Sequence, residues 1–199
     1  MRWGLLSELK ENFLRICARK GFGLQSPFAF YFENEIINQK LPYYAYKKLA
    51  RQRCRMSGLK NSKRMDELFF RITNYIQPKQ IILPKHGWEM SAEYVSAACS
   101  SASLYRYTSI KDVPNLLNGG NWLVFLRNMD DFQSIKDICL TQLSSTSLLV
   151  IKDIRTSPDF WRSLINDNRV GVTFDLYNLG LVFFDKSKTK GNYKTNKFR

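Results

Sequence analysis

The chain has 199 residues, 44% of them hydrophobic, and a formal net charge of +14. This length suits one well-buried domain plus a small extension, and this apolar share excludes a disordered chain. No apolar run approaches the roughly 20 residues that span a bilayer, and the N-terminal MRWGLLSELKENFLRICARK is expected to hold no signal peptide.

Residues 3–19 fit an amphipathic helix, with Trp3, Leu6, Leu9, Phe13, Leu14 and Cys17 on one broad stripe; Gly21 and Gly23 end it. Ser26-Pro27 opens the next helix. The serine suits the cap, and proline suits the first helical position, where no amide partner is needed. That helix carries Phe28, Phe30, Tyr31, Phe32, Ile36 and Ile37, and Leu41-Pro42 breaks it. A third helix is expected over Tyr43–Met56, its second half dense in cations, followed by a polar linker over residues 57–63.

From Arg64 onward, helices and strands alternate. A helix over Arg64–Tyr75 precedes a short buried strand, Gln80–Leu83, and the turn Pro84-Lys85-His86-Gly87. Trp88–Ser100 is expected as helix, Ser103–Thr108 as a second strand, and Trp122–Leu126 as a third after the Asn118-Gly119-Gly120 turn. Asp130–Leu143 is expected as helix, Leu148–Ile151 as a fourth strand, and Ser157–Asn166 as helix. Val170–Leu176 and Leu181–Phe184 are close enough to pair as a hairpin. This alternation predicts an α/β fold, a mostly parallel sheet with helices on both faces and a C-terminal antiparallel hairpin. Only residues 109–120 join the second and third strands, near the minimum for a crossover. One element of a full doubly wound sheet is therefore expected to be missing. The expected organisation is an N-terminal helical region (1–60), an α/β domain (61–186) and a basic tail (187–199).

The charge is uneven. Residues 1–65 carry 14 Lys/Arg against 4 Asp/Glu, residues 66–150 carry 7 against 8, and residues 151–199 carry 10 against 5. Basic excess at both ends favours polyanions, whether nucleic acid, an anionic membrane surface or an acidic partner, although a solvated lysine-rich surface would look the same in sequence. Cys17, Cys54, Cys99 and Cys139 stand singly, without a CxxC pair. They are expected as reduced thiols of a cytoplasmic protein.

Three blocks carry a family resemblance. They are Gly23-Leu24-Gln25-Ser26-Pro27-Phe28 with Leu41-Pro42-Tyr43-Tyr44-Ala45-Tyr46; Leu123-Val124-Phe125-Leu126; and Asp153-Ile154-Arg155 with Asp175 through Phe184. Together they resemble the class I S-adenosylmethionine-dependent methyltransferases, in particular an O-methyltransferase-like group common in Bacteroidetes. The resemblance implies a Rossmann-like methyltransferase fold and a crevice for S-adenosylmethionine at the carboxyl ends of the strands. It assigns the cofactor position to Lys85, His86, Gly87, Trp88, Ser109, Arg127, Asn128 and Asp153. It also implies that the chain, like many relatives, forms a homodimer.

The residues at those positions depart from the family pattern. The turn after the first strand has one glycine, and Pro84, Lys85, His86 and Trp88 add stiffness and bulk. Tyr107-Thr108-Ser109 offers hydroxyls where relatives place a carboxylate for the ribose. Arg127 and Lys152 stand where metal-dependent relatives carry acids, a change of about four charge units that disfavours a divalent cation. Lys85, Arg127 and Lys152 are expected at one sheet edge as a candidate anion site, with Glu89, Asp130 and Asp153 as alternative compensating charges. His86, the only histidine, is weighed as a general base and as an exposed loop residue, the second being favoured; no catalytic residue is assigned. Trp88, Trp122 and Trp161 are expected to pack, and the Phe28/Phe30/Phe32 and Tyr43/Tyr44/Tyr46 groups to form the seam between helical region and sheet.

The function expected from the sequence is that of a divergent methyltransferase-like protein with degenerate cofactor and metal sites, in a binding or scaffold role. An active metal-independent methyltransferase is the first alternative. A nucleic-acid-binding protein that uses the basic N-terminal helices is the second.

Overall fold

A computed structural model describes residues 26–117 and 119–195. The expected helix over 3–19, the Gly23-Leu24-Gln25 motif, Asn118 and the last four residues lie outside them. Helix α1 (Pro27–Tyr31) starts as the sequence implies. The Ser26 hydroxyl accepts the Ala29 amide, and Pro27 takes the first turn. The helix then widens into a π-helical stretch, Phe32–Ile37, in which the Asn38 amide reaches back to the Glu33 carbonyl at 2.9 Å. It ends there, short of Leu41-Pro42. Helix α2 (Tyr46–Arg53) is also shorter than expected, and α3 (Lys63–Ile76) is capped by Ser62.

The remaining elements follow in the expected order. They are β1 (Gln80–Pro84), α4 (Glu89–Ala98), β2 (Ser103–Tyr107), a 3-10 turn over Ile110–Asp112 running into α5 (Val113–Leu116), and β3 (Trp122–Leu126). After these come α6 (Met129–Gln142), β4 (Leu148–Lys152), α7 (Pro158–Asn166), β5 (Val172–Asp175), β6 (Leu179–Phe183) and β7 (Gly191–Lys194). Among the described residues one sheet forms, with the order β2-β1-β3-β4-β6-β5-β7 and β6 antiparallel to its neighbours β4 and β5. The strand order turns back between β1 and β3, so a topological switch point opens at their carboxyl ends. The short connection predicted between the second and third strands holds only one 3-10 turn and α5. Among the described residues no strand follows there, and β2 is the sheet edge.

Within the basic tail, Gly191–Lys194 forms the parallel edge strand β7, paired with β5. Two contacts fix it: the Thr173 hydroxyl donates to the Asn192 side chain at 2.9 Å, and the Tyr193 ring lies 5.4 Å from that of Phe174. The sequence GNYK has too few apolar residues to announce a strand. Its register comes from the open backbone groups of β5.

Alternate strand residues serve two cores. Ile81, Leu83, Phe125, Val150 and Phe174 face the layer built by α1, α3 and α4. Ile82, Val124, Leu126, Leu149 and Ile151 face the opposite layer. The N-terminal elements belong to the first layer. Phe28 and Phe32 pack on Phe174 and Phe183, while Tyr43 and Tyr46 pack on Phe70. Phe30 and Tyr44 do not join this seam; they are 52% and 86% exposed. Trp88, Trp122 and Trp161 are buried, as packing residues. Among the described residues, no helix is long and apolar enough to cross a membrane.

The π-helical stretch buries an acid. Glu33 is 4% exposed, and burial pushes its carboxyl up to about 6, against a hydrogen bond with Asn38 that pulls it down. A raised folded-state pKa means the native state binds the proton more tightly. Stability contributed by this group is therefore full below the ordinary 4.5 and is lost as pH rises through about 6. Glu33→Gln is expected to stabilise the protein at pH 7 by up to about 2 kcal/mol, a gain that disappears below pH 4.5 in urea titrations.

Candidate functional site

The carboxyl ends of β1, β3 and β4 bring together most of the residues that the sequence marks. At the end of β1 the chain turns through Gly87, whose φ of +77° is one that glycine adopts without strain. Its amide donates to the Glu89 carboxylate at 3.0 Å. Lys85 and His86 are exposed on this turn, while Trp88 is buried behind it. The Trp88 ring stacks on Phe69 at 5.6 Å and meets Phe125 edge-on at 6.1 Å. Space next to the switch point is thus occupied by an indole.

The segment before α3 closes over the same turn. The Lys60 amide donates to the Gly87 carbonyl at 3.0 Å, and the Lys60 side chain lies against the Gly87 Cα. A Cβ at position 87 would come within 2.2 Å of Lys60 Cγ. Asn61, expected as part of a polar linker, is 5% exposed. Its Nδ2 donates to the Ser91 hydroxyl at 2.8 Å, and its Oδ1 accepts from Lys152 Nζ at 2.8 Å. Ser91 in turn donates to Asp66, whose other oxygen holds Arg53. One chain of side chains, Arg53–Asp66–Ser91–Asn61–Lys152, ties the end of α2, the linker, the starts of α3 and α4, and the end of β4.

The charges in this network follow from burial. Burial lowers the pKa of Lys152, against Asp153 and Asp66, which favour its charged form. For Asp66, burial outweighs the opposing pull of Ser91 and Arg53, and its pKa is raised. The Lys152 ammonium also lies 5.5 Å from the Trp88 ring, a cation–π contact.

The other strand ends are closed in a similar way. The Tyr107 hydroxyl is buried and donates to the Phe125 carbonyl at 3.3 Å. Burial raises its pKa. The Ser109 hydroxyl and the Asp112 carboxylate form a reciprocal capping box on the 3-10 turn. Asn128 caps α6 by accepting the Asp131 amide at 2.8 Å. Arg127 is held by Asp131 at 3.0 Å, and the same hydrogen bond raises its pKa.

Lys85, Arg127 and Lys152 stand in three different settings at this edge. Lys85 points into solvent, Arg127 pairs with Asp131, and Lys152 is held by Asn61. Of the compensating acids considered, Glu89 serves the Gly87 amide and Asp153 lies beside Lys152. Asp130 is exposed. The groups that matter most here, Asn61, Ser91, Asp66 and Arg53, carry no signal in the sequence beyond being polar residues near helix ends. Among the described residues, no group of three or more His, Cys, Asp or Glu side chains comes together as a metal site would require.

The sequence matches no family model and no curated protein. Solved structures do resemble it. The SAH-bound methyltransferase PaMTH1 of Podospora anserina superposes with a TM-score of 0.53 at 11% identity, covering 79% of this chain and 93% of that one. A protein from Corynebacterium glutamicum superposes with a TM-score of 0.53 at 12% identity, covering 78% and 97%. The fold is a methyltransferase-like Rossmann fold.

The sequence resemblance implies S-adenosylmethionine, and several groups at the positions it assigns to that cofactor are engaged within the chain. The turn that should lie open to the methionine portion is covered by Lys60. The position for a ribose carboxylate holds Tyr107-Thr108-Ser109, with two of the three hydroxyls engaged internally. Arg127 and Lys152 are each committed to a partner from the chain itself.

Proposed function

We propose that this chain is a divergent, shortened relative of the O-methyltransferase-like group of Bacteroidetes that serves as a binding or scaffold module. In this reading its cofactor crevice is filled by its own linker. One observation supports it above the others: buried Asn61 bridges Lys152 and Ser91 while Lys60 covers Gly87. Removing that segment to admit a cofactor would break a buried hydrogen-bonded chain and leave the Lys152 ammonium without its amide acceptor. Unsatisfied buried charge makes such an opening costly.

Calorimetry and thermal-shift measurement with S-adenosylmethionine and S-adenosylhomocysteine test this reading. The expected result is no heat and no shift at millimolar ligand. Binding tighter than about 100 μM, which would add more than about 1.4 kcal/mol of stability at that concentration, would instead favour an active metal-independent methyltransferase.

A further inference from the structure

The crevice network leaves a set of cations unused at the carboxyl edge of the sheet. Helix α2 ends at this edge, because Arg53 reaches both Asp66 and the Asn61 carbonyl. Arg51 and Arg55, on either side of it, are exposed. The linker then carries exposed Lys60 onto the β1–α4 turn through the Lys60–Gly87 hydrogen bond. Lys85 in that turn is exposed, and its amide donates to the Tyr107 carbonyl at 2.8 Å. Arg106 of β2 donates to the Lys85 carbonyl and is exposed as well. Contacts thus connect Lys60, Lys85 and Arg106 through the β1–α4 turn, and Arg53 ties the end of α2, which carries Arg51 and Arg55, to the same linker.

None of the five forms an ion pair with a described residue. Carboxylates on the same elements are hydrogen-bonded to other groups. Asp66 is buried with Arg53, Glu89 accepts the Gly87 amide, and Asp112 accepts the Ser109 amide at 3.3 Å. Five like charges at one edge repel one another unless anions compensate them. A single phosphate cannot reach all five across a helix end, a loop and a strand, whereas a polymer of regularly spaced phosphates can. Three of the five are arginines, whose planar fork suits phosphate oxygens. A membrane surface fits less well. The apolar side of α2, Ala45 and Leu49, is buried against Met90 and Tyr94, so this helix has no apolar face to insert.

We propose that these five cations form a nucleic-acid backbone-binding surface, sequence-independent, running from the end of α2 over the β1–α4 turn to β2. It goes beyond the scaffold reading and does not depend on it, since it uses side chains that are exposed to solvent, Lys60 included, and not the state of the crevice.

Fluorescence anisotropy of the full chain tests the surface, using labelled single-stranded RNA, single-stranded DNA and duplex DNA over a salt series. With five phosphate contacts, log affinity against log salt is expected to fall with a slope of about −3.5 on single strands, an affinity loss on the order of 10²-fold between about 50 and 200 mM. The triple variant Arg51→Ala/Arg55→Ala/Lys85→Ala is expected to flatten that slope by about 2, because three contacts are removed. These side chains are exposed, so its unfolding midpoint should match that of the parent chain. Lys186→Ala/Lys190→Ala is the control. Phe183 pairs with Leu148 at the start of β4 and Gly191 with Val172 at the start of β5, so these two lysines sit at the opposite edge. The control is expected to bind like the parent. Absence of salt-dependent binding overturns the proposal. Equal loss in the control does too, as does binding to phosphatidylserine vesicles without binding to any oligonucleotide. Cofactor titration remains silent on all of these outcomes, so the two readings fail separately.

Discussion

Phe32→Ala is expected to lower the unfolding free energy by about 3–5 kcal/mol, read from the urea midpoint. The side chain is fully buried where the π-helical stretch crosses the sheet. Its ring lies 5.0 Å from Phe174, 5.1 Å from Phe183, 5.4 Å from Tyr75 and 5.8 Å from Phe28. Two of these neighbours belong to strands β5 and β6, and one to α3. Truncation removes apolar contact with all of them and leaves a cavity that rigid strands cannot close. A second readout separates this reading from one in which residues 26–56 form an independent unit. If they did, the variant would melt in two steps, with the sheet core unaffected; a single cooperative transition at lower urea is expected.

Asp66→Ala is expected to cost about 3 kcal/mol, toward the lower end for a broken buried ion pair because Arg53 keeps some exposure. The carboxylate accepts from Ser91 and Arg53 together, and it lends its charge to Lys152. Removing it leaves a guanidinium and a hydroxyl without their acceptor and takes away part of what keeps Lys152 charged. Asp66→Asn keeps the shape and one acceptor, and is expected to cost on the order of 1 kcal/mol. Hydrogen exchange adds a local test. The Lys60 amide, bonded to the Gly87 carbonyl, should exchange faster in Asp66→Ala as the linker loosens over the turn. If the amide stays as protected as in the parent, the linker is held by the Lys60–Gly87 contact alone, and the network is not what closes the crevice.

Both predictions rest on contacts that the linear pattern does not reveal. Helix starts at Ser26-Pro27 and Ser62 are local, because capping depends on a side chain and an amide three residues away. Strands β1, β3 and β4 are local too, as continuous apolar runs buried on both faces. The short 109–120 connection announces a missing crossover because chain length alone limits what it can hold. The candidate site is less legible. Lys152 and Arg127 are recognisable as departures from a family pattern. Their partners are not, since Asn61 is 91 residues from Lys152 and Ser91 is 30 residues from Asn61.

By itself, then, the sequence determines the alternating α/β order, the hairpin that ends it and the cationic excess of its first third. Periodicity, capping and composition act within a few residues and can be read along the chain. Only the tertiary structure decides that GNYK becomes a strand, that Asn61 is buried, and that Arg127 belongs to Asp131 rather than to a ligand. Each of these is set by which free backbone group or buried charge another part of the chain brings within hydrogen-bonding distance, and no local pattern records that meeting.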